Sequence, residues 1–382
     1  MRRILSVILL FHFLFLCGCS EKPTLQRDGW DPDKFQTYWM QGSAFSFAQA
    51  GQDGYYFLKR SKLFYYDSSE EVVLPVCNKP ECRHDDIDCN ADLPGSPLQT
   101  IMMGKDGLYT VVLEDDGVVL QENLYRIDRN GNGFERITTL QETALLKEGG
   151  TKSTFGSGCI DHGVLYYTVY NWKEDGDRLI SLWRVPVEKD GKSELILEDT
   201  TADSNFIGFM TVYDGKIYCI QMEYEGETYE KTMKRIVSID PTDKAVETVL
   251  EEAPFSYFIS NGILYYTLEE SPGIFTYDLE TKERGVMAED VIDPGIRMYW
   301  DGEHMIGYAD VKQWENAEAK TDIYVLDKSG GTVDIFSVDC GRDWFSIYGG
   351  DKDVLIARRD NEIIALSKDQ FGKSSKQWSV WK

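Results

Sequence analysis

Two stretches decide the fold: Asp161-His162-Gly163-Val164-Leu165-Tyr166-Tyr167-Thr168 and Ser260-Asn261-Gly262-Ile263-Leu264-Tyr265-Tyr266-Thr267. In each, a two-residue step ending in Gly is followed by an aliphatic-aromatic run that ends in Thr. Steps of this kind suit a hairpin turn whose two central residues both need positive φ, and β-branched and aromatic residues suit strands. Upstream of each step lies another apolar run, so each stretch reads as the first hairpin of a sheet. Further steps stand at Asp53-Gly54, Asp106-Gly107, Asp214-Gly215 and Asp301-Gly302, with Gly349-Gly350-Asp351 as a looser seventh. Their spacing of roughly 50 residues is the period of a repeat of four short strands.

The rest of each unit fits that reading. A third strand ends in Asp at Leu124–Asp128, Ile236–Asp240, Ile274–Asp278 and Ile323–Asp327, and a Val/Ile-rich fourth strand follows. Period-two alternation marks these as half-buried strands. Repeated four-stranded units predict an all-β fold, a β-propeller of seven four-stranded blades over residues 40–382. Its closing strand is expected from Lys376–Trp381, or from Phe35–Met40 crossing over to pair there.

The Leu-Tyr-Tyr-Thr strands at Leu165–Thr168 and Leu264–Thr267 resemble the Tyr-Trp-Thr-Asp strand of lipoprotein-receptor propellers. The chain as a whole resembles bacterial lipoproteins that carry a prolow-density-lipoprotein-receptor-like β-propeller of unknown function. It departs from the receptor pattern in lacking the Trp and the final Asp, and in reading as seven units where the receptor type has six. The resemblance implies the fold and brings no activity with it.

The N-terminus sets an expected location. Arg2 and Arg3 precede an apolar run from Ile4 to Leu16, shorter than the ~20 residues of a spanning helix. The run ends in Leu16-Cys17-Gly18-Cys19, which resembles the bacterial lipobox. That resemblance implies a signal peptide over residues 1–18, diacylation (palmitate or a similar chain) on the Cys19 sulfur, and a polar tether over 19–39. The protein is thus expected to be anchored through lipid on Cys19 at the extracytoplasmic face of a bacterial cell membrane.

Charge narrows the partners. With 40 Lys+Arg against 65 Asp+Glu among 382 residues, the net charge is −25. Nucleic-acid binding needs clustered cations that displace counterions, so nucleic acid is excluded as a partner.

The candidate sites are three. Cys77, Cys82, His84 and Cys89 lie within one short stretch and could form a closed Cys₃His site holding structural zinc. An extracellular location equally favours a disulfide among these thiols, or with Cys159, Cys219 or Cys340. Asp128-Arg129-Asn130-Gly131-Asn132-Gly133 copies half of an EF-hand loop, but Thr139 stands where the bidentate carboxylate belongs, so it reads as a turn. The third site is the face formed by second-to-third-strand and blade-to-blade connections, which carries the long insertions; the cysteine stretch is assigned to it too. Its aromatic residues Trp172, Tyr224, Tyr229 and Trp314 sit beside carboxylates. This pairing suits stacking on sugar rings or capture of a cationic peptide.

Two functions are weighed. The first is an extracellular binding module for a glycan, a cell-wall fragment or a protein partner. The alternative is a carboxylate-dependent glycoside hydrolase or lyase, which needs two carboxylates converging across a cleft. The inner strands Thr100–Met103, Phe206–Met210 and Phe255–Ile259 are mostly apolar, Ser157 reads as a strand-edge loop without a triad, and no Gly-x-Ser-x-Gly elbow exists. Binding is preferred over enzyme activity, which stays open as the alternative. Cys19→Ala is expected to move the protein from the membrane fraction to the soluble fraction once the signal segment is removed. Full membrane retention of the processed variant, measured by fractionation and immunoblot, overturns the anchor.

Overall fold

The computed structural model describes residues 49–381 apart from short internal stretches, the longest being 145–151, 199–205 and 310–319. The signal segment, Cys19 and the tether lie outside the described residues. Seven antiparallel sheets follow one another along the chain, and in each the strands pair in sequence order from inside to outside. The only helical element among the described residues is the short 3-10 turn Lys368–Gln370.

Blade one comprises β1 (Gln49–Ala50), β2 (Gly54–Lys59), β3 (Lys62–Asp67) and β4 (Val72–Pro75). In blade two the inner strand is split into β5 (Ser96–Pro97) and β6 (Met102–Gly104), both paired to β7 (Gly107–Asp115), with β8 (Val119–Asp128) and β9 (Gly133–Ala144) outside. Blade three is β10 (Lys152–Asp161), β11 (Val164–Trp172), β12 (Arg178–Pro186) and β13 (Glu194–Glu198). Blade four is β14 (Phe206–Tyr213), β15 (Lys216–Glu225), β16 (Glu230–Ile239) and β17 (Val246–Leu250). Blade five is β18 (Pro254–Ser260), β19 (Ile263–Leu268), β20 (Ile274–Asp278) and β21 (Arg284–Ala288). Blade six is β22 (Ile296–Trp300), β23 (His304–Ala309), β24 (Lys320–Asp327) and β25 (Thr332–Asp339). Blade seven is β26 (Phe345–Gly350), β27 (Val354–Arg359), β28 (Glu362–Ser367) and β29 (Ser379–Trp381).

The turn chemistry explains the repeat. His162-Gly163, Asp214-Gly215 and Asn261-Gly262 have both residues at positive φ, the geometry in which a two-residue hairpin matches the strand twist. Gly349 and Gly350 differ from expectation: they close β26, and the turn follows them. Ser157 also differs, since it lies at a bulge inside β10, where its N–H donates to Thr168 Oγ1 at 3.0 Å. Where a third strand runs into Asp, that Asp is the acceptor that closes the next turn. Asp240 Oδ1 takes Thr242 N–H at 2.7 Å, Asp278 Oδ1 takes Thr281 N–H at 2.8 Å, and Asp327 Oδ1 takes the Ser329 hydroxyl at 2.6 Å. These donors hold the three carboxyls below the usual carboxylate range.

The core lies between blades. Along β11, Leu165, Tyr167 and Val169 pack with Met102, Tyr109 and Val111 of blade two, while Tyr166 packs with Val212 and Ile217 of blade four. The ring closes where blade one meets blade seven: Tyr55 and Phe57 pack on Ile356, Ile363 and Trp381. The Trp381 ring stacks on Tyr66 with centroids 4.2 Å apart and planes 13° apart. Of the two closures the sequence allows, the structure uses the C-terminal strand. Trp381→Ala therefore removes the largest side chain at the seam. It is expected to destabilise the protein by about 3–5 kcal/mol, read as a lower urea midpoint. An unchanged midpoint overturns this closure.

Candidate metal centre and the loop face

After β4 the chain turns outward from blade one. Val76 N–H donates to Leu63 C=O at 3.0 Å, and Leu63 N–H donates to Ala91 C=O at 2.8 Å when the loop returns. The loop between is seated on the third-to-fourth-strand turn of blade two. Asn78 N–H donates to Gly131 C=O at 3.1 Å, and Asn90 Nδ2 donates both to the same carbonyl at 2.9 Å and to Asn78 Oδ1 at 3.0 Å. Asn78 Nδ2 donates to Asn132 Oδ1. Gly131 has φ +80°, and a Cβ there would stand 2.7 Å from the Asn78 nitrogen. The half EF-hand sequence is thus a turn that serves as a seat: Asp128 Oδ1 takes Asn130 N–H at 2.7 Å and Oδ2 takes Asn132 Nδ2 at 2.8 Å.

The loop is also tied to the face assigned from topology. Leu93 N–H donates to Ser61 C=O at 2.8 Å in the second-to-third-strand turn of blade one, and from there the loop reaches Gly131 in the third-to-fourth-strand turn of blade two. The outer turns elsewhere show why. Asp190 N–H of the blade-three turn donates to Ile137 C=O of blade two at 2.9 Å, and Lys244 Nζ of the blade-four turn donates to Leu195 C=O of blade three at 2.9 Å. Each leans on the outer strand of the preceding blade. Blade one ends in the four-residue β4, so the cysteine loop supplies the surface that the blade-two turn leans on.

Cys77, Cys82, His84 and Cys89 converge, with one ligand atom from each and all four within 4.8 Å of one another. Tetrahedral zinc with Zn–S bonds near 2.3 Å separates its ligand atoms by about 3.8 Å, so the set fits a metal with small side-chain shifts. His84 Nδ1 lies 3.5 Å from Cys89 Sγ. His84 has φ +59°, an uncommon backbone for a residue with a Cβ, and its carbonyl accepts from Lys62 Nζ, which also pairs with Asp92 at 3.5 Å. No disulfide joins any of the described cysteines. Burial pushes the Cys89 thiol up to about 11, with the neighbouring Cys82 and Cys77 adding to the rise. At Cys77 burial also opposes ionisation, but the Lys79 and Asn90 N–H groups and the two thiols outweigh it and bring the group below its ordinary value. Three adjacent sulfurs cannot all ionise without a cation among them. This group of side chains can bind a metal. Cys219 and Cys340 are fully buried core residues, and burial pushes the Cys159 and Cys219 thiols up to about 12.

The loop face is built by long hairpins. β11 and β15 have 9 and 10 residues, whereas the equivalent β19 of blade five has 6. Three extra residues carry a strand about 10 Å further. Pairing continues to Trp172↔Arg178 in blade three and to Tyr224↔Lys231 and Glu225↔Glu230 in blade four. Blade two projects likewise, to Asp115↔Leu120. Trp172 and Tyr224 thus stand near the ends of neighbouring hairpins on one face. Their side chains, and the whole of Tyr229 and Trp314, lie outside the described residues.

Sequence reasoning missed Glu122. This buried residue of β8 accepts Phe155 N–H of blade three at 2.8 Å, and burial raises its carboxyl above the usual range. Its only sequence signal is an acid inside an apolar alternation.

No protein-family model matches the chain, and no curated protein matches it. Solved structures do. The tricorn protease is similar at 15% identity and a TM-score of 0.51, over 89% of this chain and 35% of that one. A protein from Lactobacillus plantarum is similar at 14% identity and a TM-score of 0.47, over 88% and 94% of the two chains. A nidogen/laminin complex gives 13% identity and a TM-score of 0.42, over 72% and 93%. At these identities the likeness is one of fold. The seat makes a testable demand: Gly131→Ala is expected to cost more than about 1 kcal/mol, because it adds both strain and a clash. Equal Tm values for the native chain and the variant overturn the seating.

Proposed function

We propose that the protein is a lipid-anchored binding module on the outer face of a bacterial membrane. In this reading the loop face is presented to a glycan, a cell-wall fragment or a protein partner. The observation that carries it is the set of elongated hairpins on adjacent blades two, three and four, which build a wall on one face and end near Trp172 and Tyr224. Aromatic rings beside acids recognise sugars by stacking and by hydrogen bonds to hydroxyls. Trp314 belongs to the connection of the same kind in blade six, and Tyr229 to that in blade four.

The Cys₃His group is proposed to hold structural zinc. Four protein donors leave no open position, so the ion would supply folding energy and perform no chemistry. Convergence of all three sulfurs and the imidazole supports zinc over a disulfide, which would need two sulfurs alone. Zinc would then fix the surface that carries the blade-two turn.

A glycan and peptide array with the full chain is expected to retain a ligand without turnover. Trp172→Ala together with Trp314→Ala should weaken that binding at least about tenfold, or 1.4 kcal/mol. Unchanged binding by the double variant, or hydrolysis of the retained ligand, overturns the proposal.

A further inference from the structure

At the outer rim a cavity of about 750 Å³ lies between β25 of blade six and the segment that joins β28 to β29 in blade seven. Its volume is within the range of small-ligand sites. Its walls are fixed before any ligand arrives. Lys376 Nζ pairs with Asp334 Oδ2 at 2.8 Å, with both side chains nearly buried at 10% and 12% exposure. The same ammonium stands 4.9 Å over the Phe336 ring, and Gly372 N–H donates to Asp334 Oδ2 at 2.8 Å. Trp378 lines the cavity and is held edge-on against Phe345, with centroids 6.2 Å apart. Gln377 N–H donates to Gln370 Oε1 at 2.7 Å, which ties the two ends of the segment together.

Arg359, the last residue of β27, also lines this cavity and is half-buried. Among the described residues its guanidinium has no hydrogen-bond or ion-pair partner, although Glu362 lies opposite it in register and the chain holds 65 acids. A half-buried guanidinium is a planar fork of donors suited to a carboxylate. Beside it are the aromatic walls Phe336 and Trp378 and the hydroxyl of Ser374.

We propose that this rim cavity binds an acidic saccharide, with the sugar carboxylate on Arg359 and a ring face against Trp378. A compact ring suits the site better than an extended peptide, because the 372–378 segment is already fastened to β25 through Asp334 and narrows access to the strand edge. The site uses none of the residues of the loop face, so it stands or falls apart from that reading.

The test is calorimetry on the full chain in detergent micelles, with trigalacturonic acid as probe. A Kd below about 1 mM is expected, weakening as salt rises. The methyl ester of the probe should bind at least tenfold more weakly. Arg359→Gln should lose at least tenfold, and Arg359→Lys should fall between, because it keeps the charge and loses the fork. Thermal melts superimposed on that of the native chain keep both variants interpretable. The double change at Trp172 and Trp314 should leave this binding intact. Equal affinity for the ester, equal affinity for a triglutamate peptide, unchanged affinity in Arg359→Gln, or no heat with the probe overturns the proposal.

Discussion

Every blade is apolar on both faces, and this constraint organises the molecule. In β11 alternate residues feed two different cores, Leu165 and Tyr167 on one side and Tyr166 on the other. A sheet of this kind cannot bury itself, and each blade needs two neighbours. A linear stack would leave two apolar ends, whereas a ring leaves none. The seam between blades one and seven therefore completes a core of the same kind as the others, with Tyr55, Phe57 and Trp381 as its main contacts. The shortness of β29, with three residues, is offset by the size of the ring it delivers.

At the rim the same constraint acts through backbone. Outer turns rest on the preceding blade, as Asp190 does on Ile137 and Lys244 on Leu195. Blade one is too short to offer that support, and the cysteine loop replaces it through Asn78, Asn90 and the bare Cα of Gly131. The metal-ligand cluster is thus where a regular repeat has lost an edge. Its four side chains converge in a loop whose described residues have no sheet partner beyond the Lys62↔Asp92 bridge.

Much of this was legible in the sequence because it is local. His162-Gly163 and Asn261-Gly262 announce hairpins by the φ they require, and an Asp at the end of a third strand, such as Asp278, announces the turn it caps. Period two in Leu165–Thr168 gives strands with two buried faces. What escaped depends on local backbone geometry or on distant contacts. Gly349 and Gly350 look like a turn, yet they have extended neighbours and close β26. Clustering of Cys77, Cys82, His84 and Cys89 was visible from spacing, but its seat on Gly131 was not, since 54 residues separate Asn78 from Asn132.

Closure and recognition meet at the C-terminal segment. Ser379–Trp381 pairs with Ile363–Ala365, and the residue before it is Trp378, so the strand that completes the seventh blade also sets the aromatic wall of the rim cavity. On the other side of that wall Lys368 pairs with the fully buried Asp301 carboxylate of blade six, and Phe371 packs on Phe336 with centroids 6.3 Å apart. A segment that only joined two strands would not need these anchors. Fastened to blade six by Asp301 and Asp334 and to blade seven by β29, it is held from both sides while Arg359 faces the space between. Rigid walls around an unpartnered cation are the arrangement in which a charged ligand replaces hydration at the least cost in ordering.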